Sequence, residues 1–535
     1  MNSIKKSVVL ILSGIVAVIG FSACSNDFDD VEQAANTNIS VNSSTLSNVR
    51  VVESGYVRTQ VNSKSLTRGE GNDLKPEDIN ITPVSEAQAK AFTTGEAGDD
   101  GKSTASMYRW VTLLYRCKTA DGTMKELSEL VVWPYYGDWF GDGTPNQLVI
   151  GCHSTITSDA QRPTNFANMS SASEVNMLAL FAHVFSQKAL VIVPDYEGYG
   201  STAGDPHPYC NRELTAEQVV TGAKAGLSYF ESTVTKMDKN WSGVAIGYSQ
   251  GGAVSASVLR YCQEHNETSL RLKGAVCGDG PYDPLATLKR YIEMDQLYMP
   301  VAPAMLLKGA IDTDPEMAGC AVEDFVTDKF FQTGIFDMIR DKEKNTDQIQ
   351  AALLEYSRDN GDNGGFTMKA KCDEGFLPYT LNNLVDGNGK KRNFELENGK
   401  GTNYCTVDQC LKAGVIEYFR NGTITGEVPE AKLKALEKSL AKNALTYGNY
   451  KPGRGFTFFH STRDEVVPFC NLESVRSSWG SSDIKALSYN SGTYLHVGTG
   501  TTFFTWYCGD YVDEILNNKW APCEDEVGGI FWARN

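Results

Sequence analysis

One short stretch of this 535-residue chain joins a nucleophile to the backbone that would expose it: Gly247-Tyr248-Ser249-Gln250-Gly251-Gly252. The apolar run Val244-Ala245-Ile246 precedes it, and apolar residues recur at helical spacing after it, at Val254, Val258, Tyr261 and Cys262. That pattern predicts a strand, a tight turn and a helix. In such a turn the serine sits on a strained elbow with its hydroxyl above the sheet, and Gly247 and Gly251 are small enough for strand and helix to pass closely. The start of the helix aims free N–H groups and its positive dipole end at the point where an oxyanion would form, so the N–H of Gln250 is a candidate oxyanion donor. A G-x-S-x-G pentapeptide also arises by chance in a chain with 49 glycines. The motif therefore gains weight only from its setting and from an acid and a base elsewhere.

A serine nucleophile needs a histidine as base, and the chain has six, at 153, 183, 207, 265, 460 and 496. His183 falls in an amphipathic helical pattern, His207 precedes the serine, and His265 ends the helix after the elbow. His153 and His460 close strands and could reach the site, yet each precedes the candidate acid. That acid is Asp464 in His460-Ser461-Thr462-Arg463-Asp464-Glu465, a few residues past a strand end, where a carboxylate can hold an imidazole in the right tautomer. Its rivals are Asp279, which ends the preceding strand, and Glu465, which is expected to face water. His496, in Tyr494-Leu495-His496-Val497-Gly498 past the expected last strand, is then the base. Between Asp464 and His496 there is room for one helix and one strand.

The elements that must position these groups follow from periodicity. Tyr108 to Cys117 and Leu127 to Trp133 flank Ala120-Asp121-Gly122 and predict a hairpin. Short continuous apolar runs then alternate with helical patterns. The strands are Gln147 to Gly151, Ala189 to Pro194, the run before Gly247, Leu272 to Cys277, Phe456 to Phe459 and Ile484 to Ser488. The helices are Glu174 to Gln187, Thr215 to Thr233, the one after the elbow, and Asn471 to Trp479. Such alternation means an α/β protein with a mostly parallel sheet covered on both faces, whose ligand sits off the carboxyl ends of its strands.

Two other strand ends carry polar groups. After Gly151 comes Cys152-His153-Ser154-Thr155, where the N–H of Thr155 is the candidate second oxyanion donor. The alternative is a plain turn in which Ser154 and Thr155 bond the local backbone. After Pro194 comes Asp195-Tyr196-Glu197-Gly198-Tyr199-Gly200, whose glycines indicate a constrained loop, so Asp195 and Glu197 are assigned structural roles.

With these segments in chain order, residues 105–530 resemble an α/β-hydrolase of the secretory-lipase kind. The resemblance rests on the Ser249 elbow, on Pro194 to Gly200, and on the Asp464 and His496 segments. It implies a Ser249–Asp464–His496 triad, in the order these hydrolases use, and a helical lid between Asp283 and Gly455. His153-Ser154-Thr155 stands where the family more usually has His-Gly-Thr, which leaves the second oxyanion donor open. Large apolar residues of the insertion, among them Tyr298, Met299, Phe325, Phe330, Phe331 and Phe336, are expected to pack its interior, with some shaping an acyl or alcohol site.

The N-terminus reads as an export signal: Lys5 and Lys6, the apolar run Val8 to Gly20, then Phe21-Ser22-Ala23-Cys24. The run is too short to span a bilayer. The Ser-Ala-Cys ending resembles a bacterial lipobox, with Cys24 lipidated as the mature first residue and Phe21 a departure from the usual leucine. Asp27, Asp29 and Asp30 resemble a signal for display on the outer surface of Gram-negative cells. The expected organisation is a signal peptide at 1–23, a flexible tether at 24–105 with room for a short strand near Val51 or Tyr56 that packs on the body, a hydrolase core at 106–283 and 456–535, and a lid or cap at 284–455. The formal charge of −17 becomes two units more negative once residues 1–23 leave, which argues against nucleic-acid partners and against electrostatic attachment to anionic lipid. Membrane attachment is expected only through the lipid anchor, on an outer-membrane, monomeric protein. The twelve remaining cysteines of an exported chain make disulfides plausible. No metal-ligand spacing stands out, so no metal and no cofactor is expected.

The expected function is hydrolysis of a small-molecule or lipid carboxylic ester through an acyl-enzyme. A serine peptidase with the same triad is the alternative. A non-catalytic surface binding protein is another, since fold does not determine function.

Overall fold

The computed structural model describes residues 49–62, 79–93, 103–135, 144–168, 188–368, 404–480, 482–490 and 495–527. Within them eleven strands form one sheet: β1 (Val49–Asn62), β2 (Ile79–Val84), β3 (Ser103–Lys118), β4 (Met124–Pro134), β5 (Gln147–Cys152), β6 (Ala189–Pro194), β7 (Ser242–Tyr248), β8 (Leu272–Gly278), β9 (Phe456–Ser461), β10 (Lys485–Tyr489) and β11 (Cys523–Val527). Their order is β11-β10-β9-β8-β7-β5-β6-β4-β3-β1-β2. The seven strands from β11 to β6 are mutually parallel, and β4, β3, β1 and β2 continue the sheet antiparallel. The chain runs outward from β5 to β6 and then returns to the other side of β5 with β7. The crevice at the carboxyl ends of β5 and β7 is thus the point where strand order reverses, the usual ligand site of such sheets.

The continuous apolar runs of the inner strands arise because both faces are covered. In β5, Val149 faces one buried cluster while Leu148 and Ile150 face the other; in β7, Val244 and Ile246 face the first and Ala245 the second. The first cluster is closed by Phe503, Cys508 and Val512, the second by the helices Arg212–Thr233, Gln250–Glu264 and Cys470–Trp479. The insertion between β8 and β9 is helical and has its own apolar interior, including Leu288, Ile292, Phe325, Phe330 and Leu433. Tyr298 and Phe336 are buried there as well, whereas Phe331 is exposed.

Several expectations change. Within residues 24–105 the short strand expected near Val51 or Tyr56 is the longer β1, paired with β3 over most of its length, and β2 and the helix Glu86–Thr93 follow it in place of tether. The edge strand β2 pairs through backbone N–H and C=O groups, which needs only a short apolar signal. For the same reason the acidic Cys523–Val527 adds to β10 as a further parallel strand, and β10 is not the last. The eleven described cysteines are free thiols, most of them buried as small apolar residues, and the Sγ atoms of Cys405 and Cys410 are 3.4 Å apart. The signal peptide, Cys24 and the helix expected over Glu174 to Gln187 lie outside the described residues. Among the described residues no helix is long and apolar enough to cross a membrane.

One core position is unusual. Glu129, on β4, is fully buried beneath the helix Arg212–Thr233, which turns Gly222 toward it; a methyl group at Gly222 would lie 2.4 Å from Oε2. Burial, reinforced by the charge of Asp195, holds its pKa well above the usual glutamate range. A pKa raised on folding favours the fold below the unfolded value, and that support is lost as pH climbs toward the folded pKa. Glu129→Gln keeps the shape without the titration. Its thermal midpoint is expected to gain on the wild type steadily as pH rises from about 5 to about 8. Parallel pH curves for the two proteins in thermal melts would rule out a buried protonated Glu129.

Candidate active site

Ser249 follows β7 directly, at φ 57° and ψ −125°, and its N–H donates to the Gly278 carbonyl at 2.9 Å. A non-glycine residue at positive φ stores strain, and here two close approaches of the backbone maintain it. A Cβ at Gly247 would lie 2.2 Å from the Gly251 carbonyl oxygen, and one at Gly251 would lie 2.0 Å from that of Cys152. Neither position accommodates a side chain, so the elbow and the end of β5 are pressed together.

The three expected catalytic residues meet. The Ser249 hydroxyl lies 3.0 Å from His496 Nε2, and His496 Nδ1–H donates to Asp464 Oδ2. All three are buried. Asp464 Oδ1 also accepts the N–H groups of Val466 at 2.9 Å and Val467 at 2.6 Å. His496 opens the helix His496–Thr502, and its own N–H donates to Glu465 Oε2 at 2.9 Å. Glu465 therefore does not face water as expected. The turn after β9 folds inward, and the carboxylate takes up a free N–H at a helix start.

Asp279, the rival acid, lies behind the triad. It accepts the Ser461 N–H at 2.7 Å, and its Oδ2 is 2.6 Å from the Tyr248 hydroxyl. That hydroxyl is also 2.6 Å from the His496 carbonyl oxygen. One phenol proton serves only one of these acceptors, and a protonated Asp279 supplies the other bond by donating to the phenol oxygen. Burial pushes the Asp279 carboxyl up to about 7, with Asp464 adding to the rise and His460 opposing it. Burial, then the charge of Glu465, also raises Asp464. Three carboxyl groups around one imidazole cannot all ionise in a low-dielectric site. Asp464 collects three donors, which favours its charged form, and Asp279 is the natural holder of the proton.

Asp279, His460 and Asp464 bring possible metal-ligand atoms within 4.8 Å of one another. Those carboxylates are already engaged as described, and His460 Nε2 donates to the Val467 carbonyl at 2.9 Å, so hydrogen bonding accounts for most of this donor set.

The structure also sorts the other polar strand ends. Thr155 bonds not to its local backbone but, through Oγ1, to the Tyr209 hydroxyl at 2.7 Å, and Gln250 Nε2 lies 2.9 Å from His207 Nε2. His153 lies at the end of β5, stacked on Tyr196. Asp195 accepts Ser128 Oγ at 2.5 Å and the Thr164 N–H at 2.9 Å, while Glu197 accepts Gln218 Nε2 at 2.6 Å and the Ala120 N–H at 3.0 Å. Both acids brace loops, in keeping with a structural role. His265 is exposed and stacks on Tyr261, and His183 lies outside the described residues. The sequence did not signal the contacts of His207 and Tyr209. They connect loops far apart in the chain, and no periodicity marks them.

No family model and no curated protein matches the chain. Solved structures do. A Legionella pneumophila protein superposes with a TM-score of 0.54 at 16% identity, over 78% of this chain and 91% of that one. The rice cell wall degrading esterase LipA from Xanthomonas oryzae gives 0.54 at 15% identity, over 88% and 98%. Candida antarctica lipase A in its closed state gives 0.50 at 13% identity, over 79% and 82%. The chain shares their fold, the α/β-hydrolase fold, with a mostly parallel sheet, helices on both faces and a helical insertion.

The two acids make an internal test. Asp464→Asn is expected to slow labelling of Ser249 by a fluorophosphonate by about 10⁴, the loss typical when a triad carboxylate becomes an amide. Asp279→Asn imitates the protonated acid and should stay within about tenfold of wild type. The opposite ranking in labelling rate would make Asp279 the triad acid.

Proposed function

We propose that the chain is a serine carboxylic-ester hydrolase. The observation that carries this reading is the continuous hydrogen-bond chain from the Ser249 hydroxyl through His496 to Asp464, on an elbow whose serine is held at positive φ. In this mechanism His496 Nε2 takes the Ser249 proton as Oγ attacks the ester carbonyl. The N–H groups of Gln250 and Thr155 receive the oxyanion, and Asp464 stabilises the imidazolium. His496 returns the proton to the departing alcohol. Water, activated by the same histidine, then releases the acid from the acyl-enzyme.

The insertion acts as a lid in this reading. It contains an apolar cavity lined by Leu288, Tyr291, Leu297, Phe325 and Phe330. Tyr291 donates its hydroxyl proton to the Val466 carbonyl, beside Asp464, which supports an insertion that shapes the substrate site. The substrate is a small-molecule or lipid ester. The protein works without a cofactor, as an exported lipoprotein anchored through Cys24, with the N-terminal motif as the support for that location.

The test is turnover of p-nitrophenyl esters from acetate to palmitate. Ser249→Ala is expected to lose on the order of 10⁶ in turnover with its thermal midpoint kept. Preference for long chains would identify a lipase, and a decline beyond about four carbons an esterase with a confined acyl site. Ester turnover that survives Ser249→Ala, or none at all beside cleavage of peptides, would refute the reading.

A further inference from the structure

The two proposed oxyanion donors lie on different segments, Thr155 in the loop after β5 and Gln250 at the start of the helix after β7, yet one tripeptide grips both. His207 bonds the side chain of Gln250, and Tyr209, two residues on, bonds the side chain of Thr155. We propose that His207-Pro208-Tyr209 is a clamp that sets the spacing of the oxyanion hole, with His207 and Tyr209 as positioning residues. The proposal rests on the ester-hydrolase reading of Ser249.

The direction of each bond follows from the chemistry. His207 Nδ1 is 2.7 Å from the Glu197 carbonyl, which can only accept, so Nδ1 carries the proton. In the neutral ring Nε2 is then an acceptor, and Gln250 must present its Nε2–H to it. Burial, the dominant influence, depresses the His207 pKa to about 3 and keeps the ring in this neutral form near neutrality. Among the charged and polar neighbours of the ring, the Glu197 carbonyl favours a cation but is outweighed by burial, Lys342 and His153 disfavour one, and a Gln250 N–H donating to Nε2 leaves no room for a proton there. Gln250 Oε1 is buried with no partner among the described residues, so the His207 bond alone orients this side chain.

The consequence falls on the backbone. Gln250 is the first residue of the helix after the strained serine, so fixing its side chain limits rocking of the Ser249–Gln250 peptide, whose N–H is the proposed donor. Thr155 lies in an irregular loop, where its Oγ1 bond to Tyr209 is the corresponding restraint. A hole made of two N–H groups works only if their separation matches the oxygen that forms between them. Here that separation is held by a proline-containing segment whose His207 stacks parallel to Tyr196 at 6.3 Å and packs against Tyr199 at 5.0 Å. The insertion reaches the same segment. Gly309, on the helix Val301–Thr313, passes so close that a Cβ would lie 2.8 Å from the Tyr209 nitrogen and 3.1 Å from the His207 carbonyl oxygen. The insertion is thereby coupled to the proposed oxyanion hole.

The experiment uses the full chain and the variants Tyr209→Phe, Gln250→Met and Gly309→Ala. Active sites are counted with a fluorophosphonate. Then kcat and KM for p-nitrophenyl acetate are measured per active site, with the Ki of butylboronic acid, which forms a tetrahedral anion on the serine. Complete loss of one oxyanion donor typically costs 10²–10³ in turnover, so a loosened donor is expected to lower kcat per site about tenfold, with KM within about twofold. The boronate Ki should rise in parallel, also about tenfold. A merely structural role would reduce the thermal midpoint and the number of titratable sites while leaving kcat and Ki per site unchanged. That result in both Tyr209→Phe and Gln250→Met overturns the clamp, provided Ser249→Ala is inactive. Ester turnover that survives Ser249→Ala would overturn the hydrolase reading and the clamp together.

Discussion

The site depends on one steric constraint, the contact between the β7 elbow and the end of β5. A side chain at Gly251 would collide with the Cys152 carbonyl, and one at Gly247 with the backbone of Gly251 itself. Because no Cβ separates them, Ser249 can hold its positive φ, the helix behind it can aim its N–H groups at the crevice, and Thr155 can come alongside. The parallel register of β5 and β7, which pairs Cys152 with Gly247, delivers the two loops to the same level. If that approach were looser by the width of a methyl group, Ser249, the proposed oxyanion donors and His496 would no longer come together.

Burial is the second theme. The triad sits among carboxyl groups shut away from water, and the protein manages their charge by distributing protons and donors. Asp464 receives the N–H groups of Val466 and Val467 besides His496. Glu465 caps the N–H of His496, and Asp279 joins Tyr248 behind them. In a low dielectric this arrangement rigidifies the imidazole while confining the negative charge to the carboxylate that needs it. Away from the site, burial likewise raises the carboxyls of Glu129 and Asp195, and Asp195 ties the end of β6 to β4 through Ser128.

The sequence and the structure divide along a physical line. Local signals carried far: the glycines around Ser249, the two-sided apolar runs of β5 to β10, and the acid and histidine at successive strand ends are short-range patterns that sterics and periodicity dictate. They were enough to select Ser249, Asp464 and His496, which meet in the structure, and the sheet class. The outer strands were only partly legible: the valines of β1 marked a short strand near Val51 or Tyr56, while β2 and the acidic β11, at the two sheet edges, join by backbone pairing and left no such mark. Glu465 was misread as solvent-facing because its charge suggested water, while the burial of its turn is decided by what folds over it.

What the sequence by itself determined was therefore the candidate reacting groups and the alternation of strand and helix, since a strained serine turn and a doubly covered strand each impose their own residue types. Tertiary structure alone decided which groups support them. That Asp279 shares a site with Asp464, that His207 and Tyr209 hold Gln250 and Thr155, and that Gly309 of the insertion presses on that pair are contacts between segments distant in the chain. Such contacts arise from how layers pack and leave no periodic trace in the residues that make them.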